Sequence, residues 1–277
     1  MRLLSVGVAV SGIAAFVWAS HALAVAAPVS LQPHRAVYDL TLDRADEKSG
    51  ITGLKGRMVY EFNGSACEGY TTNFRFVTRI DMEEQPQRVT DQQTTTYEGG
   101  DGKSFRFVNK TFVDKELTKE VRGDAKLAGG KTVVELTRPR EKQFDLPKSH
   151  FPTGHMIELI GKAEAGEKFY QTNLFDGSEE ADKVTVTSVV IGKPLVLKDE
   201  ETALMGKMAS EKVWPVTIAY FNDEENQDGL PIYRINFKLY KNGITRDLTM
   251  DYGDFAMHGK LVSLDLFDAE PARADCK

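Results

Sequence analysis

Two cysteines, Cys67 and Cys276, are the only thiols in the 277-residue chain, and disulfide formation is the chemistry its residue types indicate most clearly. Residues 1–26 supply the context. A single positive charge precedes an apolar run that ends in the small residues of Ala24-Val25-Ala26, the pattern of a cleaved secretory signal peptide. An exported chain meets an oxidising compartment, where an even cysteine count indicates a disulfide. We therefore predict a Cys67–Cys276 bond in a mature chain of residues 27–277.

Redox catalysis is the weaker interpretation of the same pair. The chain contains no C-x-x-C motif, and Arg273-Ala274-Asp275 beside Cys276 does not indicate a strongly stabilised thiolate. We expect a structural bond that fixes the C-terminal tail near the beginning of the domain.

Three further residues could ligate a metal. His150 and His155 flank the start of a predicted helix, and Glu158 follows His155 by three residues, so His155 and Glu158 would share one helix face. Two or three such residues do not complete a catalytic zinc site, and no second cluster supplies the missing ligands. We predict no metal and no cofactor, and treat these histidines as packed or exposed side chains.

An acidic run, Asp223–Asp228, is rich in oxygen ligands. Calcium takes six to eight oxygens, and this run offers three or four. Because it also joins two strand patterns, a solvated hairpin tip explains it, and calcium binding stays an open alternative.

The elements that must position these groups are mostly strands. Apolar residues alternate with polar ones along much of the chain, most clearly at Tyr233, Ile235, Phe237 and Leu239. Turn signals separate the runs, and Asn242-Gly243 between two alternating runs predicts a tight hairpin. An antiparallel all-β meander follows, in the form of a barrel, a sandwich or a curled open sheet.

One segment has helical rather than strand periodicity. Its apolar spacing, with Pro152 suited to the first turn and Gly166 to the end, predicts a helix over residues 152–164. A weaker helical pattern covers 202–207. Such a helix would cap the concave side of the sheet. Ordinary core packing is the favoured interpretation of Met156, Ile157 and Ile160, and if the sheet is open these residues are the candidate lining of a groove for a peptide or acyl chain.

Composition limits the function classes. The formal net charge is −6, and removal of the signal takes away only Arg2, which gives −7. A mildly acidic chain argues against nucleic acid and anionic membrane surfaces as partners. No stretch after the signal is long and apolar enough to span a bilayer, and no G-x-S-x-G, H-E-x-x-H, Walker or G-x-G-x-x-G motif occurs. We therefore predict a non-enzymatic protein with a single domain over 27–277.

A family resemblance rests on four features: the signal peptide, the segment 62–70 around Cys67, the helix start Phe151-Pro152-Thr153-Gly154-His155, and the near-terminal Cys276. Together they resemble the EipB-like envelope integrity proteins of alphaproteobacteria over essentially the whole mature chain. The resemblance implies a periplasmic, spiral-like broken β-barrel of about a dozen antiparallel strands with one main helix. It also implies a conserved disulfide, here Cys67 and Cys276, and a functional link to a periplasmic tetratricopeptide-repeat protein.

The expected function follows from the residues and the resemblance together. Members of the family support cell-envelope integrity under stress, and the resemblance carries over no catalytic residues. We expect a β-lined groove that binds a hydrophobic peptide or protein partner. A periplasmic carrier of lipid or another amphiphile is the alternative, and a cell-wall enzyme ranks last.

Overall fold

The computed structural model describes residues 29–178, 180–221 and 229–268, and most of them lie in antiparallel strands. The fifteen strands are β1 (His34–Ala45), β2 (Ile51–Ser65), β3 (Gly69–Met82), β4 (Arg88–Glu98), β5 (Ser104–Val113), β6 (Glu116–Ala128), β7 (Lys131–Arg138), β8 (Lys142–Pro147), β9 (Phe169–Leu174), β10 (Thr185–Ile191), β11 (Leu195–Val196), β12 (Lys212–Phe221), β13 (Tyr233–Tyr240), β14 (Thr245–Asp251) and β15 (Phe255–Leu266). The helix α1 spans Pro152–Glu164, and two 3-10 segments span Glu47–Ser49 and Glu200–Ser210. The signal peptide, the acidic run and Cys276 fall outside the described residues.

All the strands form one sheet, ordered β8-β7-β6-β5-β4-β3-β2-β1-β15-β14-β13-β12-β10-β9, with β11 beside β12. The first and last strands, β1 and β15, are neighbours in the middle of this order. The all-β prediction, with a curled antiparallel sheet and one main helix, is confirmed. The strand count exceeds the predicted dozen partly because β11 has only two residues, too few to leave a periodic pattern.

The two ends of the sheet meet at a short seam, which makes the barrel nearly closed. The chain just after β8 forms a single parallel bridge to β9, between His150 and Leu174. His150 N–H donates to the Asn173 carbonyl at 2.8 Å, and Phe175 N–H donates to the His150 carbonyl at 2.9 Å. The Asn173 side chain adds a bond to the Lys148 carbonyl at 3.1 Å. These three hydrogen bonds hold the ends of the sheet together.

Strand patterns in the sequence explain which face is buried. On β13, Phe237 and Leu239 are buried among the main core cluster, and Tyr233 and Ile235 pack against it. The next turn contains Gly243 at a φ of +88°, a conformation that glycine adopts without steric cost, so the predicted Asn242-Gly243 hairpin is confirmed.

Two hydrophobic clusters stabilise the barrel. The larger lies inside the barrel and includes the buried α1 residues Leu159, Ile160 and Ala163. The smaller joins β5–β8 to the chain on either side of the seam, where Phe151 stacks on Phe105 and Phe175 meets the Phe105 ring edge-on. The main helix is therefore anchored in the larger cluster and, through Phe151 at its start, in the smaller one.

The helix α1 begins and ends where the sequence predicts, because Pro152 occupies its first turn and Gly166 follows it at a φ of +79°. The weaker helical pattern at 202–207 is a 3-10 segment, Glu200–Ser210, interrupted at Gly206 with a φ of +53°. Met205 and Met208 of this segment are buried in the main cluster.

Candidate binding cavity

A cavity of about 510 Å³ lies inside the barrel, between the sheet and the start of α1. Its walls come from β1–β5, β9 and β12–β14, the chain before β1, the chain after β9 and the first turns of α1. Gln92 lines the cavity and is exposed, so the space reaches solvent along β4. Its size is in the range of sites that hold small ligands or short segments.

The cavity has an apolar wall and a polar wall. The apolar residues are Leu31, Tyr38, Met58, Tyr60, Phe62, Phe74, Met156, Leu174, Ile218, Tyr220, Ile235, Phe237 and Leu248. The polar strip, as we call it, consists of Thr72 on β3, Gln92, Thr94 and Thr96 on β4, and Asn109 on β5. Strand register explains the strip: Thr72 pairs with Thr96, and Thr94 pairs with Asn109, so these side chains share the inner face. An occupant would meet aromatic and aliphatic surface over much of the wall, and hydroxyl and amide groups along β3, β4 and β5.

A buried carboxylate caps the start of α1, at one end of the cavity. Glu98, at the end of β4, is 3% exposed and accepts hydrogen bonds from the backbone N–H of Thr153 at 2.7 Å and of Gly154 at 2.8 Å. These are N–H groups of the first turn, which have no partner within a helix. Burial raises the pKa of Glu98, while the two backbone hydrogen bonds partly oppose that shift. The helix is thus capped by a residue more than fifty positions away in the chain.

The three predicted groove residues occupy different environments. Met156 lines the cavity. Ile160 is fully buried in the main cluster, and Ile157 is partly buried against it. The structure therefore places one of the three at the cavity, and the predicted role of all three in ligand binding stays a prediction.

Burial sets the charge state of the two histidines in the cavity wall. His155 is 6% exposed, and its Nε2 lies 3.2 Å from Thr187 Oγ1. Burial, with a smaller contribution from nearby His150, lowers the pKa of His155 to about 4. Burial also lowers the pKa of His34, although a 2.7 Å contact between its Nδ1 and the Gln32 carbonyl opposes the shift. Both rings are neutral at pH 7.

The residues considered for metal binding do not converge. His150 Nε2 lies 3.3 Å from Glu158 Oε2 near the seam, whereas His155 points to Thr187. Within residues 29–178, 180–221 and 229–268, no group of three or more His, Cys, Asp or Glu is arranged to hold a metal ion. The same ranges contain no helix long and apolar enough to cross a bilayer.

Cys67 lies in the turn between β2 and β3, at the end of the barrel where β1 begins. His34, the first residue of β1, pairs with Leu266 on one side and Phe62 on the other, so β15 ends two strands away from β2. Neighbouring strands are about 4.8 Å apart, so the end of β15 lies about 10 Å from β2. The nine residues between Leu266 and Cys276 could span about 30 Å if extended. Cys276 is therefore within reach of Cys67, and the bond stays a prediction because Cys276 is outside the described residues.

Sequence reasoning missed the polar strip and one carboxylate, Asp176. On β4 polar residues face both outward and inward, so alternation gives no sign of a buried face. Asp176 follows β9 in an irregular segment whose position depends on packing at Phe175. The polar side chains at alternate positions, Gln92, Thr94 and Thr96, were the available signal for a polar interior wall.

Comparison with known proteins gives consistent matches. A family model described as EipB-like matches residues 25–268. The chain is 69% identical over 278 residues to the cell envelope integrity protein EipB of Brucella abortus (strain 2308), covering 100% of this chain and 99% of that protein.

A solved structure agrees with the fold. It is a crystal structure of a beta-barrel-like protein of a domain of unknown function from Brucella abortus, with a TM-score of 0.85 and 75% identity, covering 87% of this chain and 100% of that one. The resemblance drawn from the sequence is confirmed. The chain belongs to the EipB-like family.

Proposed function

We propose that this protein is a non-enzymatic factor of the periplasm that supports cell-envelope integrity by holding an extended apolar segment of a partner protein in the barrel cavity. Two findings support the proposal. The relative from Brucella abortus is named a cell envelope integrity protein. The cavity of about 510 Å³ combines an apolar wall with the polar strip, and this combination is the observation that carries the proposal.

A peptide suits both walls of the cavity. Apolar side chains would pack on lining residues such as Tyr60, Phe74 and Phe237. The threonine, glutamine and asparagine side chains of the polar strip would exchange hydrogen bonds with the main-chain amides of the same segment. An acyl chain would pack on the apolar lining but would offer the polar strip no hydrogen-bond partner, whereas a peptide offers its main-chain amides.

The polar groups of the cavity are poorly arranged for catalysis. His155 of the cavity wall contacts a hydroxyl, but that hydroxyl, on Thr187, donates to the Thr172 carbonyl at 3.0 Å and is fully buried. A substrate in the cavity would not reach it, because Thr187 is not among the lining residues of the cavity. This geometry favours binding over conversion.

The alternative is a carrier of lipid or another amphiphile, for which the aromatic wall is the supporting observation. Mass spectrometry of gently purified protein separates the two. A copurifying peptide supports partner binding, and a copurifying acyl species supports the carrier. A periplasmic tetratricopeptide-repeat protein, implied by the family resemblance, is the first partner to test.

Neighbouring residues on β4 provide a matched test in cells. Thr94 faces the cavity, whereas Thr95 is exposed on the outer face, where it donates to Asn73. We expect Thr94→Trp to fill the cavity and to lose both the copurifying segment and detergent resistance in a deletion strain. Thr95→Trp should keep both. Full complementation by stably folded Thr94→Trp would contradict the proposal.

A further inference from the structure

The cavity has an unusual charge distribution for a protein of the cell envelope. Among the described residues that line it there is no Lys and no Arg, and Asp176 is the only one that carries a formal charge at neutral pH. The other titratable groups of the wall are two histidines, His34 and His155, and three tyrosines. Burial lowers the pKa of the histidines and raises the pKa of the tyrosines, which favours the neutral form of each. An occupant therefore meets one negative charge and no positive charge.

The position of Asp176 is fixed by its neighbours. Phe175, directly before it, is 1% exposed in the smaller hydrophobic cluster. Gly177, directly after it, accepts a 2.6 Å hydrogen bond at its carbonyl from the Asn109 side chain on β5. The Asp176 side chain accepts a hydrogen bond from the Ser178 N–H at 2.9 Å through Oδ1. The carboxylate is thus held at the wall by packing and hydrogen bonds on both sides.

Asp176 is also not neutralised by an ion pair. In the described part of the chain, no Lys or Arg lies within ion-pair distance of it, although this protein pairs many of its other surface carboxylates, such as Asp91 with Arg75. The pKa of Tyr220, another lining residue, is raised chiefly by burial and further by the negative charge of Asp176. The negative charge of Asp176 is therefore available to an occupant.

We propose that the cavity seats one cationic group, a Lys or Arg side chain, against Asp176 on an otherwise apolar peptide segment, and that it rejects anionic occupants. This inference rests on the proposed function and specifies the chemistry of the segment. An anion placed in the cavity would lose hydration without gaining a cationic partner, whereas a cation gains a charge-assisted hydrogen bond. The same reasoning excludes lipids with anionic headgroups inside the barrel.

Three probes with the same ten-carbon chain test the inference: decylammonium, 1-decanol and decanoate. Each is titrated at pH 7.5 against the full mature protein carrying the fluorescent apolar probe N-phenyl-1-naphthylamine, and displacement gives the affinity. We expect decylammonium to bind about tenfold more tightly than decanol, and decanoate about tenfold more weakly.

Two variants localise the effect. Asp176→Asn keeps the oxygen that accepts from Ser178 but removes the charge, and we expect it to bring decylammonium within about twofold of decanol. Asp182→Asn removes an exposed charge from the same segment, outside the cavity, and should leave the order of affinities unchanged.

The outcomes separate this inference from the proposed function. Equal binding of decylammonium and decanoate by the wild-type protein, or a preference that survives Asp176→Asn, overturns the charge selectivity alone. If none of the three probes displaces the fluorophore, the cavity is not a binding site for apolar chains, and both proposals fail.

Discussion

The buried imidazole of His155 makes the stability of the barrel depend on pH in a defined window. In the folded protein its pKa is about 4, lowered mainly by burial, against 6.5 for a solvated histidine. As the pH falls, the unfolded chain therefore binds a proton before the folded protein does. Stability from this residue is fully present above pH 6.5 and is lost as the pH falls from 6.5 to 4.

The size of the effect follows from the two pKa values. Each unit of difference corresponds to about 1.4 kcal/mol, so the window between 6.5 and 4 represents about 3 kcal/mol of unfolding free energy. About 2.5 kcal/mol of this is already lost at pH 4.5. Below pH 4 the folded and unfolded forms are both protonated, and no further loss is expected.

One variant separates the contribution of His155 to stability from that of the carboxylates, which also titrate at acidic pH. His155→Gln keeps a nitrogen near Thr187 Oγ1 but does not titrate. Urea unfolding of both proteins, followed by circular dichroism at pH 7.5, 6.5, 5.5 and 4.5, gives the difference in free energy at each pH. We expect the advantage of the wild-type protein to shrink by about 2.5 kcal/mol between pH 7.5 and 4.5.

The partly buried His258 on β15 provides the control, because His258→Gln makes the same chemical change outside the cavity wall. The two variants should differ in their pH profiles. A wild-type advantage over His155→Gln that stays constant within about 0.5 kcal/mol across the range would show that this ring is not held neutral by burial.

Three other predictions concern stability, each measured by urea unfolding. Glu98→Ala leaves two helix N–H groups without their acceptor and should cost about 2 kcal/mol, with Glu98→Gln costing less; no loss in either variant would contradict the capping role. Gly177→Ala should cost about 2–4 kcal/mol, since a Cβ there meets the Phe107 ring at 2.5 Å, whereas Gly166→Ala, with a similar positive φ and open space, should cost about 1 kcal/mol. Replacing both cysteines by serine should cost up to about 5 kcal/mol, and a reductant should destabilise the wild-type protein alone.

The architecture was predictable wherever one face of a strand is apolar. β13 shows this, because its alternating residues identify the inward face and the Asn242-Gly243 turn fixes the register with β14. The helix α1 was predictable for a related reason: Pro152 and Gly166 mark its ends, and its apolar spacing marks its packed face. At these two elements the local sequence signals and the long-range packing favour the same structure.

The cavity was less predictable, because its residues are assembled by contacts distant in sequence. The cap on α1 comes from Glu98, on β4, and nothing near either residue identifies the other. Helical periodicity showed that Met156, Ile157 and Ile160 lie on an apolar side of the helix, but not that only Met156 faces open space. The polar strip depends on the register of three strands, which a single sequence does not specify.

The seam between the two ends of the sheet affects how wide the barrel can open. Three hydrogen bonds near His150 hold it, whereas β2 and β3 are held along fourteen paired residues. In backbone pairing the seam is therefore much shorter than the contact of β2 with β3, and the packing of Phe151 against Phe175 adds to what holds it. We expect a bulky occupant to widen the barrel at the seam rather than between strands that are paired along their length.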